Sequence, residues 1–207
     1  MEKPDFIAAC HQYLQLVHAI NGVYLDGTMG FEQMRRLLVD GQTHARACLQ
    51  ATEPEKATSE YLDGIEFLYG TGDPNTPEAR IQHRCTQGEY KARNAKGGAN
   101  HAFLANVCLV MLYQFWEDRY RGEIAQALGR RKNQIALPVM GDLRILRRSI
   151  IHHAAMALPE VEKCEVLRWF RRGQPIALSA EQFEIVINAV AASIAQLLVA
   201  EHGEERR

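Results

Sequence analysis

The chain is 207 residues long, 47% hydrophobic and 24% charged, enough for one domain with a sizeable core and ordinary for a soluble globular protein. Its net charge of −1 carries no overall signature of a nucleic-acid binder. No run reaches the ~20 uninterrupted apolar residues of a membrane span; the nearest, residues 185–200, is broken by Asn188, Ser193 and Gln196.

Residues 1–5 lack a secretory n- or h-region. The five cysteines (Cys10, Cys48, Cys85, Cys108, Cys164) are scattered and form no Cys-x-x-Cys pair. They read as reduced thiols of a cytoplasmic protein, neither a disulfide framework nor a zinc site.

Asp5 is placed to cap a first helix over residues 6–25, where Phe6, Cys10, Tyr13, Leu14, Val17 and Ile20 recur at helical spacing. Asp26-Gly27-Thr28 reads as a turn. A second helix over about residues 30–50 then turns Phe31, Met34, Leu37, Leu38 and Ala45 inward, with Gly41 weakening its middle. His11 and His18 share a face, but no third ligand is evident at helical spacing, so packed or surface histidines are expected and no metal.

Residues 52–99 lack a clear period. A short helix over 59–69 is expected to end in Gly70-Thr71-Gly72-Asp73-Pro74, another to cover 78–93, and Lys96-Gly97-Gly98 to make a second break. Neither glycine cluster has the Gly-x-x-x-x-Gly-Lys-Ser/Thr form of a phosphate loop. No strand-period segment of useful length appears, so the stretch is expected to be an insert of short helices and loops within one domain.

Residues 100–121 give the strongest helix. His101, Leu104, Cys108, Met111 and Phe115 form a wide apolar face, and Val110, Leu112 and Tyr113 extend it so far that burial on more than one side is expected. Glu117 and Asp118 follow; a carboxylate there would either orient an arginine of a later helix or form a surface pair with Arg121. A shorter helix continues to Leu128, and the Gly129-Arg130-Arg131-Lys132-Asn133 loop is either a phosphate contact or a solvated connector.

Residues 141–157 stand apart. Val139, Leu143, Leu146, Ile150 and Ala157 make one apolar stripe, with Asp142 near the helix start offsetting its dipole and Pro159 stopping it. The opposite face carries Arg144, Arg147, Arg148 and His152 with Ile145 and Ile151 among them, a mixture that suits a face covered by a second protein surface. His153 falls near the apolar stripe and is expected to be packed. Residues 119–172 hold twelve Lys/Arg against five Asp/Glu, a local positive balance that would attract a phosphate backbone.

Residues 160–172 are expected to continue helical to Arg171-Arg172-Gly173, and 174–178 to be extended. Ser179 then caps a last helix to about Glu201, with Phe183, Ile187, Val190, Ile194, Leu197 and Leu198 inward, after which residues 202–207 should fray. The expected fold is all-α, an up-and-down bundle of four or five main helices.

Leu146-Arg147-Arg148-Ser149-Ile150-Ile151-His152-His153 resembles the Arg–polar–three residues–His signature of the HEPN superfamily, small all-α domains that include many metal-independent ribonucleases. Tyr113-Gln114-Phe115-Trp116-Glu117-Asp118-Arg119-Tyr120-Arg121 resembles the long helix that precedes that motif in some of its members. The likeness covers residues 100–158, and departs from the family at Arg148, where Asn is most common. It implies a HEPN-like bundle over residues 1–207 with an insert at about 52–99. It also implies Arg147 and His152 as catalytic residues, no cofactor, and a homodimer whose motif helices face each other across a twofold axis over an RNA substrate. A toxin or defence effector, held by an antitoxin or other regulatory protein, is the setting such an enzyme would fit.

The chemistry asks for these residue types. RNA carries its own nucleophile, the 2′-hydroxyl, so a metal-free ribonuclease needs a proton-moving group near neutral pH and a fixed cation for charge building on the phosphoryl oxygens. Histidine supplies the first and arginine, with its forked N–H donors, the second. On an ideal helix Arg147 and His152 lie about 140° apart and ~7.5 Å along the axis, whereas Arg148 and His152, four apart, are neighbours. Spacing therefore pairs Arg148 with His152, and the resemblance pairs Arg147 with His152; Arg148 and Arg144 are read as phosphate-binding and Glu117 or Asp118 as orienting. A fold is not a function, and the competing reading is a non-catalytic dimeric module that binds RNA or protein.

Overall fold

The computed structural model describes residues 5–204; residues 1–4 and the end of the tail expected to fray, at 205–207, lie outside the described residues. In order the elements are α1 (Phe6–Thr52), α2 (Ser59–Gly64), β1 (Glu66–Thr71), β2 (Arg80–Thr86), α3 (Gln87–Arg93), α4 (Ala99–Phe115), α5 (Arg121–Ala127), α6 (Pro138–His152) and α7 (Ala180–Glu204). The protein is mostly helical, and the strands are a departure from the all-α expectation.

Helix α1 is a second departure. The two helices expected over 6–25 and 30–50 are one helix of 47 residues, with no turn at Asp26-Gly27-Thr28. Asp5 caps it as expected, its carboxylate accepting the N–H groups of Ile7 at 2.9 Å and Ala8 at 3.3 Å. No proline lies between Asp5 and Pro54, and a Cβ added at Gly22, Gly30 or Gly41 would meet nothing within 4 Å. Glycine there costs only helix propensity, ~1 kcal/mol each, too little to break a helix flanked by good formers.

The chain forms two compact units, one of Met1–Asp26 with Ala102–Arg207 and one of Gly27–His101. The first holds the main core, in which Tyr13 and Val17 of α1, Leu109 and Leu112 of α4, Leu143 and Leu146 of α6 and Phe183 and Ile194 of α7 are fully buried. Each such side chain contributes about 1.5–3 kcal/mol. A π-helical turn at Trp116–Tyr120 joins α4 to α5. Its wider register places Trp116 and Tyr120 both on the buried side, with ring centres 5.4 and 5.2 Å from that of Tyr13.

One side of α4 stays open: Phe103, Val107, Met111 and Phe115 form an exposed stripe at four-residue spacing, so Met111 and Phe115 do not belong to the buried face expected of them. Ser179 and Gln182 cap α7 reciprocally, at 3.2 and 3.0 Å. Over Ala180–Glu201 this helix is long and apolar enough to cross a membrane, with mean hydropathy 1.9, which the interrupted run in the sequence did not suggest. Phe183, Val186, Ile187, Val190 and Ile194 pack into the core as one stripe, and most of the rest of the helix is exposed or half-buried.

The second unit contains the hairpin that the sequence reading placed in helices. β1 and β2 pair antiparallel, Glu66 opposite Thr86, with the register slipping between Tyr69 and Gly70. A Cβ at Gly70 would lie 2.4 Å from the carbonyl oxygen of Arg80, so only glycine fits. Phe67 and Tyr69 of β1 pack with Tyr90 of α3, and the Arg93 guanidinium sits 5.3 Å from the Tyr90 ring centre. Buried Gln42 of α1 donates to Asp63 at 3.0 Å and Gln87 at 2.9 Å and accepts from Lys91 at 2.9 Å, tying α1 to α2 and α3.

Candidate functional site

Pro138 opens α6 at a position where its missing N–H is not needed. Val139, Leu143 and Leu146 are buried as the stripe predicts, Ile150 is half-buried, and the helix stops at His152, short of the expected end at 157. Pro159 is not what stops it. Ala154 and Ala155 take left-handed φ values of 48° and 62°, and the Ala155 N–H bonds back to the Ile150 carbonyl at 3.2 Å. This is a Schellman closure built on two alanines rather than glycine, a conformation that costs about 1–2 kcal/mol per residue. The Ser149 hydroxyl accepts the Leu158 N–H at 3.1 Å and ties down the returning chain. His153 is therefore exposed at the helix end, not packed.

Asp142 likewise does more than offset a dipole. It is buried, and its carboxylate accepts the N–H groups of Glu165 at 2.9 Å, Val166 at 2.7 Å and Leu167 at 2.7 Å. Those donors would be used internally by a helix over 160–172. Only a 3₁₀ turn at Pro159–Lys163 forms there, and the rest wraps around Asp142 as irregular chain.

The result is a cavity of about 500 Å³ lined by Arg144, Arg147, Arg148 and His152 from α6, with Lys163 and Glu160 from the turn opposite. Arg148 pairs with Glu160 at 3.4 Å, an exposed contact worth at most about 1 kcal/mol. Among the described residues no ion pair neutralises Arg144, Arg147 or Lys163. The Arg147 guanidinium carbon lies 5.9 Å from the Tyr113 ring centre, and its Nε is buried without a hydrogen-bond partner. His152 is exposed at the cavity wall. Ile145 lines the same cavity half-buried, and Ile151 is 50% exposed.

Glu117 and Asp118 are not brought to this cavity. Glu117 pairs with Arg121 at 2.9 Å and Lys132 at 3.0 Å, and Asp118 accepts a bond from Gln114. No ion pair joins either carboxylate to an arginine of α6 among the described residues, although Glu117 and Arg144 line one cavity; of the two alternatives for Glu117, the pair with Arg121 forms. Burial pushes the Glu117 carboxyl up, but hydrogen bonds from Lys132 and Arg121 outweigh it and hold it below the ordinary carboxylate value. In the basic loop, Arg130 is held by Glu201 at 2.6 Å.

Sequence reasoning missed the Tyr113 ring beneath Arg147 and the contributions of Lys163 and Glu160. Tyr113 carried a signal, an aromatic residue beyond the width of the α4 apolar face; Lys163 carried none, because an irregular segment has no period. His11 and His18 are exposed, and no group of three metal-ligating side chains occurs among the described residues. Burial pushes the thiols of Cys10 and Cys164 up to about 12 and that of Cys108 to about 11, leaving them protonated at neutral pH.

Chemically, the cavity offers uncompensated guanidinium and ammonium donors to an anion, with an accessible imidazole at the same wall. Comparison with known proteins returns no family model that the chain matches, no matching curated protein and no matching solved structure.

Proposed function

We propose that the protein is a metal-independent endoribonuclease of HEPN type, in which Arg147 and His152 act on a phosphodiester while Arg144 and Arg148 hold the flanking phosphates. The observation that carries this reading is one cavity lined by Arg144, Arg147, Arg148, His152 and Lys163. Arg144, Arg147 and Lys163 have no ion-pair partner among the described residues, and a phosphate in the cavity would supply the opposite charge. His152 would take the proton from the 2′-hydroxyl or give one to the leaving 5′-oxygen, and the guanidiniums would offset charge on the phosphoryl oxygens.

One protomer supplies one such set. Ile151, exposed beside the charges, and half-buried Ile145 would be covered if a second copy of α6 faced the first across a twofold axis. The same reading places the enzyme in the cytoplasm, as a toxin or defence effector under a regulatory protein. Incubating RNA with purified protein in EDTA tests it. Wild type should cut, and His152→Ala and Arg147→Ala should each fail while remaining folded; equal cutting by all three would rule these residues out. Light scattering behind size exclusion should give a dimer at micromolar concentration.

A second reading is a non-catalytic module that binds RNA or a protein, the protein-binding form being favoured by the exposed Phe103, Val107, Met111 and Phe115 stripe on α4. It would be supported by RNA binding without cutting, or by neither.

A further inference from the structure

Beside the cationic cavity lies a smaller one of about 190 Å³. Its walls include Tyr113, Trp116, Met140 and Gly141, and its polar groups include Glu117 and Arg144. Three features give it a use. Arg144 lines both cavities, so a ligand whose phosphate sits on that guanidinium can extend into the smaller space. The volume suits a planar ring system, since a cavity of ~150 Å³ already takes benzene, and it is too small for a peptide segment. A Cβ added at Gly141 would meet nothing within 4 Å, so the wall is open at that position.

We infer that this cavity is a nucleobase subsite, which receives a base of the RNA strand while its phosphate lies on Arg144 and Arg147. The inference rests on the RNA reading above. Tyr113, Trp116, Ile135, Leu137 and Met140 give the space an apolar lining in which a base ring is removed from water. Glu117, held between Arg121 and Lys132 at 2.9 and 3.0 Å, keeps oxygen lone pairs that can accept from a base N–H. A carboxylate acceptor selects bases that present amino donors, so guanine, with N1–H and N2–H side by side, is preferred to uracil.

The test uses the full chain carrying Trp169→Phe, which leaves Trp116 as the sole tryptophan. Titration with guanosine monophosphate should change Trp116 fluorescence saturably. Uridine monophosphate should bind about tenfold more weakly, the scale of one lost base contact. Adding Gly141→Leu, which fills the cavity, should weaken guanosine monophosphate by about tenfold or more, and Gly141→Ala, a single methyl on the same wall, should weaken it less. Thermal melts check that both variants fold; if the leucine variant does not, the alanine variant against wild type carries the comparison.

No saturable response in the millimolar range, or equal affinity with and without the Gly141 substitution, overturns the subsite. A mobility shift with single-stranded RNA separates the two readings. RNA binding unchanged by Gly141→Leu, with no nucleotide response, removes the subsite and leaves the RNA reading. A nucleotide response in a protein that retains no RNA removes the RNA reading and leaves a free-nucleotide pocket.

Discussion

The guanidinium of Arg147 rests over the ring of Tyr113, 5.9 Å from its centre, and this contact joins the motif helix α6 to the end of α4. A cation over a ring at this range is worth about 0.5–2 kcal/mol according to its exposure. It also restricts a side chain that would otherwise sample many rotamers. Tyr113→Phe retains the ring and should leave RNA cleavage within about twofold, whereas Tyr113→Leu removes it and should lower cleavage about tenfold, the rate equivalent of ~1.4 kcal/mol. Steady-state kinetics of the two variants check this. Equal rates would show that the ring does not position Arg147.

Asp142 holds the chain that forms the far wall of the cavity. Replacing it with Ala leaves the N–H groups of Glu165, Val166 and Leu167 without their acceptor. The expected loss is at least about 3 kcal/mol in denaturant unfolding, since bonds to a charged group are each worth about 1.5–3 kcal/mol and neighbouring bonds do not add fully. Asp142→Asn, which accepts through one oxygen only, should lose less than Ala.

The carboxyl of Glu117 is held below its ordinary value in the folded protein. A group depressed in this way adds stability that is complete above its unfolded value and is lost as pH falls through the folded value. Unfolding free energies between pH 7 and pH 3 should therefore fall more steeply for wild type than for Glu117→Gln. Parallel curves would mean that the Lys132 and Arg121 contacts do not survive in solution.

Continuity of α1 is directly testable. Gly22→Ala and Gly30→Ala add a methyl to open space on a helix and should each raise stability by about 0.5–1 kcal/mol. A turn at residues 26–28 in solution would leave the gain at Gly30 small or negative.

What could be read in the sequence were the features with a period or a cap. The buried side of α6 followed from Val139, Leu143 and Leu146, the start of α1 from Asp5, and the start of α7 from Ser179 and Gln182. The cationic face with His152 was legible for the same reason.

The hairpin was not legible. Its strands are exposed or half-buried on both faces, and the slip at Tyr69 and Gly70 breaks what alternation remains. The end of α6 was hidden because two alanines, strong helix formers, take the left-handed turn that glycine normally marks. The course of residues 164–167 was hidden because it depends on Asp142, more than twenty residues earlier. Tertiary hydrogen bonds of that kind leave no local trace.

The chemistry proposed for Arg147 and His152 on a ribose phosphodiester is tested most directly by a matched pair of substrates in EDTA. One is a single-stranded RNA, the other the same strand with every 2′-hydroxyl methylated, each incubated with wild type and with His152→Ala. Wild type should bind both strands and cut only the first, leaving 2′,3′-cyclic phosphate and 5′-hydroxyl ends, and His152→Ala should bind both and cut neither. Cutting of the methylated strand, or cutting of RNA by His152→Ala at the wild-type rate, would contradict it.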